Sequence, residues 1–319
     1  MTQKTDSKKA VVIGCGFVGA ATAFALMQSK LFSELVLIDV DFDKADGEAQ
    51  DIAHGIPFAG QMKIFAGNYS DLADASIVIV TAGGNQKPGE TRLDLAGKNV
   101  DIFKSIIPEI TKQGFQGILL IVSNPVDILT YAAAKLSGLP ESRVIGSGTL
   151  LDTARLKCAL GERLHVDSRS IHSFVIGEHG DSEIVAWSSA NVSGIPLHDF
   201  CEMRGYFDHD SAMREISEDV KNSAYEIIEK KSATYYGIAM SVKRICECIV
   251  RDEKSILPIS SMIHGMYGIN GIALSIPAIL GEDGIEAHVP IPLNDAEMAK
   301  LHHSADTLKE TAGTLHLNI

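Results

Sequence analysis

The sequence holds no Cys-x-x-Cys pair and no zinc-type spacing; its five cysteines, Cys15, Cys158, Cys201, Cys246 and Cys248, are scattered along the chain. They read as reduced, mostly buried small side chains, and no metal site is implied. There is also no clustered run of Lys and Arg, and the formal net charge is -13. Phosphate backbones bind to clustered basic surface, so no nucleic acid partner is expected. Apolar runs are too short and too interrupted to span a bilayer, and the N-terminal M-T-Q-K-T-D-S-K-K-A has no apolar signal core. Both absences predict a cytoplasmic protein with no membrane partner. Repeats, low-complexity tracts and flexible linkers are missing too. What is present, 319 residues with 45% hydrophobic and 22% charged, suffices for a full core in two domains or one large α/β unit.

The first half alternates short apolar runs with helical patterns. Ala10 to Ile13 reads as a strand that meets Gly14-Cys15-Gly16-Phe17-Val18-Gly19 and continues into Ala20, Ala23, Phe24 and Met27 at helical spacing. A second run, Leu35 to Ile38, ends at Asp39, about twenty residues beyond the last glycine, where the dinucleotide fingerprint places its acid. The three glycines serve different ends: one makes the tight turn, one lets backbone approach the pyrophosphate closely, and one lets helix pack on sheet. Asp39 accepts from a ribose 2′-hydroxyl and repels a 2′-phosphate, so the predicted cofactor is NAD rather than NADP. Further strands are predicted at Ile77 to Val80, Ile118 to Val122 and Arg143 to Ile145, with helices at Asp41 to Ala53, Leu93 to Gln113 and Val126 to Leu136. That alternation predicts an α/β fold, a Rossmann doubly wound parallel sheet over residues 1–146.

Two strand ends in this half carry Thr81-Ala82-Gly83-Gly84 and Ser123-Asn124-Pro125, where ligands gather in such sheets. Between them lies G-G-N-Q-K-P-G-E-T-R-L-D, Gly83 to Asp94, polar and rich in glycine. It reads either as a closing lid or as an ordinary surface loop; Gln86 and Arg92 favour the lid.

Residues 147–319 are expected to form an α+β substrate domain with a partly antiparallel sheet. A helix is predicted over Leu150 to Leu164, with Asp152 and Arg155 on one face, either aimed at a cleft or paired in solvent. Ile171 to Glu183, I-H-S-F-V-I-G-E-H-G-D-S-E, reads as a strand-like run stopping at His179 in a Gly-containing corner. Imidazole changes charge near neutral pH, so a histidine fixed there is a candidate proton carrier. Beyond it come Ile184 to Val192, helical patterns at Ser211 to Lys230 and Thr234 to Ile249, strands at Ser255 to Met262 and Ile272 to Ile279, and a last helix at Asp295 to Thr314.

Five motifs, G-C-G-F-V-G, Q-K-P-G-E-T-R-L-D-L, S-N-P-V-D-I-L, L-D-T-A-R and G-E-H-G-D-S-E, occur in that order, and by them the chain resembles the L-lactate dehydrogenase family, bacterial type, over essentially its whole length. The resemblance implies reversible hydride transfer between NADH and pyruvate giving (S)-lactate, in glycolysis and fermentation. His179 would be the proton donor and acceptor, Asp152 would orient its ring and favour imidazolium, and Arg155 would hold the substrate carboxylate by a bidentate contact. Arg92 would polarise the carbonyl, with Asn124 and Thr234 completing the polar wall. NAD contacts are implied at Gly14, Gly16, Val18, Gly19, Asp39, Lys44, Tyr69, Gly83, Gly84, Ser105, Val122, Asn124 and Ser147. Gln86 stands where the related malate dehydrogenases carry arginine; with no charge to offer a second carboxylate, it favours pyruvate, a malate or a branched 2-hydroxy acid dehydrogenase being the alternatives. A non-catalytic NAD-binding protein on the same scaffold is the reading from another class, opposed by the presence of all of Arg92, Asp152, Arg155 and His179. The resemblance also implies a homotetramer activated by fructose 1,6-bisphosphate at Lys157 and His172. Lysine replaces the family's arginine there and loses the bidentate fork, so a weakened activation is expected. His172 and His179 would then share one strand, linking regulation to chemistry.

Overall fold

In the computed structural model, residues 8–84 and 91–317 are described, except the side chains of Arg92 and Asp210. The first half contributes strands β1 (Lys9–Ile13), β2 (Glu34–Ile38), β3 (Lys63–Ala66), β4 (Ile77–Val80), β5 (Ile118–Ile121) and β6 (Val144–Gly146). Its helices are α1 (Phe17–Ser29), α2 (Phe42–Ala53), the short α3 (Ile56–Ala59), α4 (Arg92–Lys112) and α5 (Val126–Ser137). The second half opens with α6 (Leu150–Leu164) and the two-residue strands β7 (Ile171–His172), β8 (Val175–Ile176), β9 (Ile184–Val185), β10 (Asn191–Val192) and β11 (Ile195–Pro196). It continues with α7 (Leu197–Met203), α8 (His209–Lys231), α9 (Tyr236–Val250), β12 (Ser255–His264), β13 (Asn270–Gly281), β14 (Gly284–His288) and α10 (Asp295–Thr314).

The six strands of the first half run parallel in the order β3-β2-β1-β4-β5-β6. This is the doubly wound arrangement, and its strands are apolar on both faces because both are covered. In β1, Val11 and Ile13 pack on one side with Phe103 and Ile107 of α4, whereas Ala10 and Val12 pack on the other with Leu26 of α1 and Ile245 of α9. The antiparallel strands expected of the second half are present, but they do not form a separate sheet. β12 pairs with β6 at Ser260 and Gly146, and β13 and β14 follow it, so one nine-stranded sheet runs through both halves. Gly146 permits the join: a Cβ there would lie 2.8 Å from that of Ser260.

The stretch from Ile184 to Val192 holds β9 and β10, and the expected strand-like run from Ile171 to Glu183 is broken. His172 on β7 belongs to a three-stranded sheet with β10 and β11, while β8 pairs with β9 in another. His172 and His179 therefore do not share a strand, which corrects the expected direct link between them. A separate apolar cluster supports this region: Leu156, Leu160 and Leu164, four apart on α6, pack on Ile171, Val175, Val185, Ile216 and Val220. The residue patterns of β3, β14 and α7 predict no element, yet all three are present.

Candidate active site

The sheet places the ends of β1, β4, β5 and β6 side by side, and the glycine turn closes directly onto β4. Gly14 has φ +101°, and a Cβ there would sit 2.5 Å from the Ala82 nitrogen; at Gly19 it would sit 1.9 Å from the Gly14 carbonyl oxygen. Neither position admits a side chain. Asp39, at the end of β2, accepts hydrogen bonds from the Cys15 N–H at 2.6 Å and the Asp41 N–H at 3.1 Å, so the acid also shapes the turn. Gly16 caps α1 with no side-chain hydrogen bond, which leaves the first-turn N–H groups for a ligand anion.

The remaining residues expected at this cradle are spread along the same edge. Val18 is half-buried on α1, Lys44 is exposed on α2, and Tyr69 is half-buried with its hydroxyl pKa raised by burial. Gly83 and Gly84 follow β4, Val122 and Asn124 follow β5, and the buried Ser147 follows β6. Ser105 is exposed on α4 and its hydroxyl donates to the Ile102 carbonyl of its own helix at 2.7 Å. A residue with no expected role ties two of these segments together. Asn99 of α4 accepts from the Gly84 N–H at 2.7 Å and donates to the Asn124 carbonyl at 2.7 Å. Its one signal in the sequence is a polar side chain at a buried helical position.

Beyond the cradle lies a cavity of about 730 Å³, lined among others by Asn124, Asp152, Arg155, His179, Glu183 and Lys221. Asp152 and Arg155, three apart on α6, do share a face, and it is not a solvent face: the Asp152 side chain is 2% exposed and that of Arg155 13%. One Asp152 oxygen meets His179 Nδ1 at 2.6 Å, and the other accepts from Arg155 Nη1 at 2.8 Å. The Asp152 carboxylate beside it outweighs burial and pushes the His179 pKa up to about 9. Burial works against the Asp152 charge, yet His179 and Arg155 hold its carboxyl below the usual range. Thr153, next along α6, accepts the Val175 N–H at 2.9 Å and so docks β8 on the same helix.

Three elements far apart in sequence fix the loop that carries His179. Gly177 exchanges backbone hydrogen bonds with Ser275 of β13, at 2.8 and 3.0 Å. The Glu178 N–H donates to the Ser304 hydroxyl of α10 at 2.8 Å, and the His179 N–H donates to the Asp127 carboxylate of α5 at 2.7 Å. Gly177 has φ +89°, and a Cβ there would come within 2.6 Å of Ile184, so only glycine lets the chain turn under this clamp. Asp127 and Ser304 carry no site signal in the residue pattern, and neither does Glu183. The Glu183 carboxylate lies within 4.8 Å of ligand atoms of Asp152 and His179, and burial, with Asp152 adding to it, pushes its pKa up to about 8.

Gln86 lies outside the described residues, and Arg92 is placed only as the first residue of α4. Thr91 fixes that start: its hydroxyl accepts the Asp94 N–H at 3.1 Å, and the Asp94 carboxylate accepts the Thr91 N–H at 3.0 Å. Thr234, in the loop between α8 and α9, is half-buried and is not among the residues lining the cavity. Lys157 is half-buried on α6 with its pKa lowered by burial, and His172 is exposed on β7. Among the described residues no helix is long and apolar enough to cross a membrane.

Comparison with known proteins identifies the family along nearly the whole chain. Residues 8–146 match the model of the lactate/malate dehydrogenase NAD binding domain, and residues 149–315 that of the lactate/malate dehydrogenase alpha/beta C-terminal domain. The chain is 52% identical over 310 residues to an L-lactate dehydrogenase of Acetivibrio thermocellus, covering 97% of this chain and 98% of that one. It is 52% identical over 307 residues to L-lactate dehydrogenase 1 of Clostridium acetobutylicum, covering 96% and 98%. A crystal structure of a lactate dehydrogenase enzyme from a Medee basin deep-sea metagenome library superposes with a TM-score of 0.95 at 45% identity, covering 97% of this chain and 99% of that one.

Proposed function

The chain belongs to the lactate/malate dehydrogenase family, and from that premise we propose that it is an NAD-dependent L-lactate dehydrogenase working through His179, Asp152, Arg155 and Arg92. The observation that carries the reading is the continuous chain from Arg155 through Asp152 to His179 at the wall of one cavity. NAD, when bound, supplies the group that gives hydride to, or takes it from, the substrate C2.

In the reducing direction His179 donates the proton on Nε2 to the 2-oxo oxygen, because Nδ1 is engaged by Asp152. In the oxidising direction the neutral ring takes that proton back. Arg155 donates from Nη1 to Asp152 and offers its other N–H groups to the substrate carboxylate. Arg92 stabilises charge on the carbonyl oxygen, and Asn124 and Thr234 supply polar contacts. The glycines 14, 16, 19, 83 and 84, with Val18, Asp39, Lys44, Tyr69, Ser105, Val122, Asn124 and Ser147, hold NAD. The side-chain-free turn and the uncapped start of α1 fit a pyrophosphate.

The neutral Gln86 disfavours a second substrate carboxylate, since an unpaired charge in a closed site is costly. Purified protein given NADH with pyruvate, oxaloacetate or 2-oxoisocaproate will oxidise it fastest with pyruvate; a preference for oxaloacetate would reassign it as a malate enzyme. We further propose a nucleotide-binding domain at 1–146 and a substrate domain at 147–319, a cytoplasmic homotetramer, and weak activation by fructose 1,6-bisphosphate through Lys157 and His172. Light scattering reads the assembly. Titrating the bisphosphate at subsaturating pyruvate reads the activation, and an unchanged rate would remove it.

A further inference from the structure

We propose that Asp127 is a positioning residue for His179, fixing the backbone that carries the imidazole and adding a second negative charge that favours its protonated form. This rests on the reading of His179 as the proton donor. Asp127 lies on α5 in the nucleotide-binding half, 2% exposed, inside the otherwise apolar run V-D-I-L. One carboxylate oxygen accepts the His179 N–H at 2.7 Å; the other accepts the Ser260 hydroxyl of β12 at 2.6 Å and the Ser275 hydroxyl of β13 at 3.4 Å. The first of these bonds ties the His179 backbone to the half of the chain that holds the glycine turn.

The hydrogen bonds alone do not call for an acid. An asparagine would accept the same N–H with its carbonyl and donate to Ser260 with its amide, and it would avoid the desolvation cost of a buried charge. That cost is visible: burial raises the Asp127 pKa to about 6, against the opposing help of Ser260 and the His179 N–H. The ionisable groups facing it are His179 and Glu178 of the loop, while β12 and β13 present only the hydroxyls of Ser260 and Ser275. Glu178 is an acid and opposes the Asp127 charge. The cation it favours is the imidazolium of His179, whose pKa it raises beyond what Asp152 does. The two pKa values, about 6 for Asp127 and about 9 for His179, define a window in which both groups are charged. Below it Asp127 takes up a proton and its field on the ring disappears.

The test is an NMR titration of histidine ring carbons in the full-length protein and in Asp127→Asn, with the His179 signal assigned by its loss in His179→Asn. The His179 midpoint in Asp127→Asn is expected to fall by about one pH unit. Its thermal midpoint should equal or exceed that of the wild type, because the buried charge is gone and the hydrogen bonds remain. The alkaline limb of kcat/KM for pyruvate should move down by the same amount. A His179 midpoint that stays where it is in the wild type would overturn the proposal, as would a lowered thermal midpoint with an unmoved titration, the mark of a purely structural residue. Should Asp127→Asn fail to fold, Ser260→Ala gives the same decision: losing the hydroxyl that favours the carboxylate should move the small inflection near pH 6 in the His179 shift to higher pH, and an unmoved inflection counts against the proposal. The titration needs no substrate, so failure to turn over pyruvate would defeat the proposed reaction and leave the role of Asp127 to be decided by the ring signal alone.

Discussion

The glycine turn and the His179 loop both bring backbone hard against a neighbouring strand, by opposite means. The turn succeeds by having nothing in the way: Gly14 and Gly19 meet Thr81 and Ala82, just beyond β4, and each other at distances no Cβ could share. The loop succeeds by having specific polar partners, with Ser275, Ser304 and Asp127 each holding one of three consecutive residues. A turn made by omission is robust to chemistry and intolerant of bulk. A loop made by hydrogen bonds from three elements is sensitive to the loss of any one partner, although at Gly177 it too has no room for a Cβ. On the proposed mechanism the first therefore governs whether a cofactor can sit, and the second whether a proton can be delivered.

Substitutions can break this division of labour. His179→Asn should lower pyruvate reduction by roughly 10³-fold while NADH affinity stays within about twofold. Steady-state rates beside fluorescence titration read both, and a parallel loss of NADH binding would blur the two regions into one. Gly19→Ala attacks the other side: with a Cβ 1.9 Å from the Gly14 carbonyl, the turn must open, and the NADH Kd should rise at least about tenfold. If kcat for enzyme saturated with both ligands collapses as well, the turn does more than hold cofactor. Leu160→Ala removes a buried side chain from under α6 and should cost about 2–5 kcal/mol in denaturant unfolding, with the activity per folded molecule nearly kept. Ser304→Ala leaves the Glu178 N–H without its partner; a loss of about 1 kcal/mol and a drop in kcat of a few fold, with KM for NADH unmoved, would support the clamp.

The same contrast explains what can be read from the residues alone. The turn is legible because its signal is local: G-x-G-x-x-G after an apolar run and before a helical pattern, with Asp39 about twenty residues on. Helices α6 and α10 also fall at their expected limits, since an uninterrupted periodic pattern ends where the apolar stripe ends. The meeting of Asp152 with His179 is not local. It enters through the family resemblance, and nothing in residue spacing specifies that α6 faces the end of β8. Asp127, Ser304 and Asn99 stay hidden because each looks like a single polar interruption in an amphipathic helix, a pattern shared by many surface positions. β14, five residues with only Gly284 fully buried, offers too little apolar alternation to stand out. The expected strand joining His172 to His179 fails at Ser173 and Gly177, where the chain leaves one small sheet and turns under β13.

pH reads the site more directly than any loss of rate. His179 has a folded pKa of about 9, raised above its ordinary 6.5, so its contribution to stability is complete below pH 6.5 and is lost as pH rises through 9. On the proposed mechanism reduction of pyruvate needs the protonated ring and should fade over the same upper range, and lactate oxidation should gain there. The decisive measurement is the pH profile of kcat/KM for pyruvate in the wild type and in Asp152→Asn. The wild type should hold its rate up to an alkaline limb near pH 9, and in the variant that limb should fall toward pH 6.5 with a much reduced plateau. An Asp152→Asn profile with its limb in the wild-type position would contradict the claim that Asp152 keeps His179 charged.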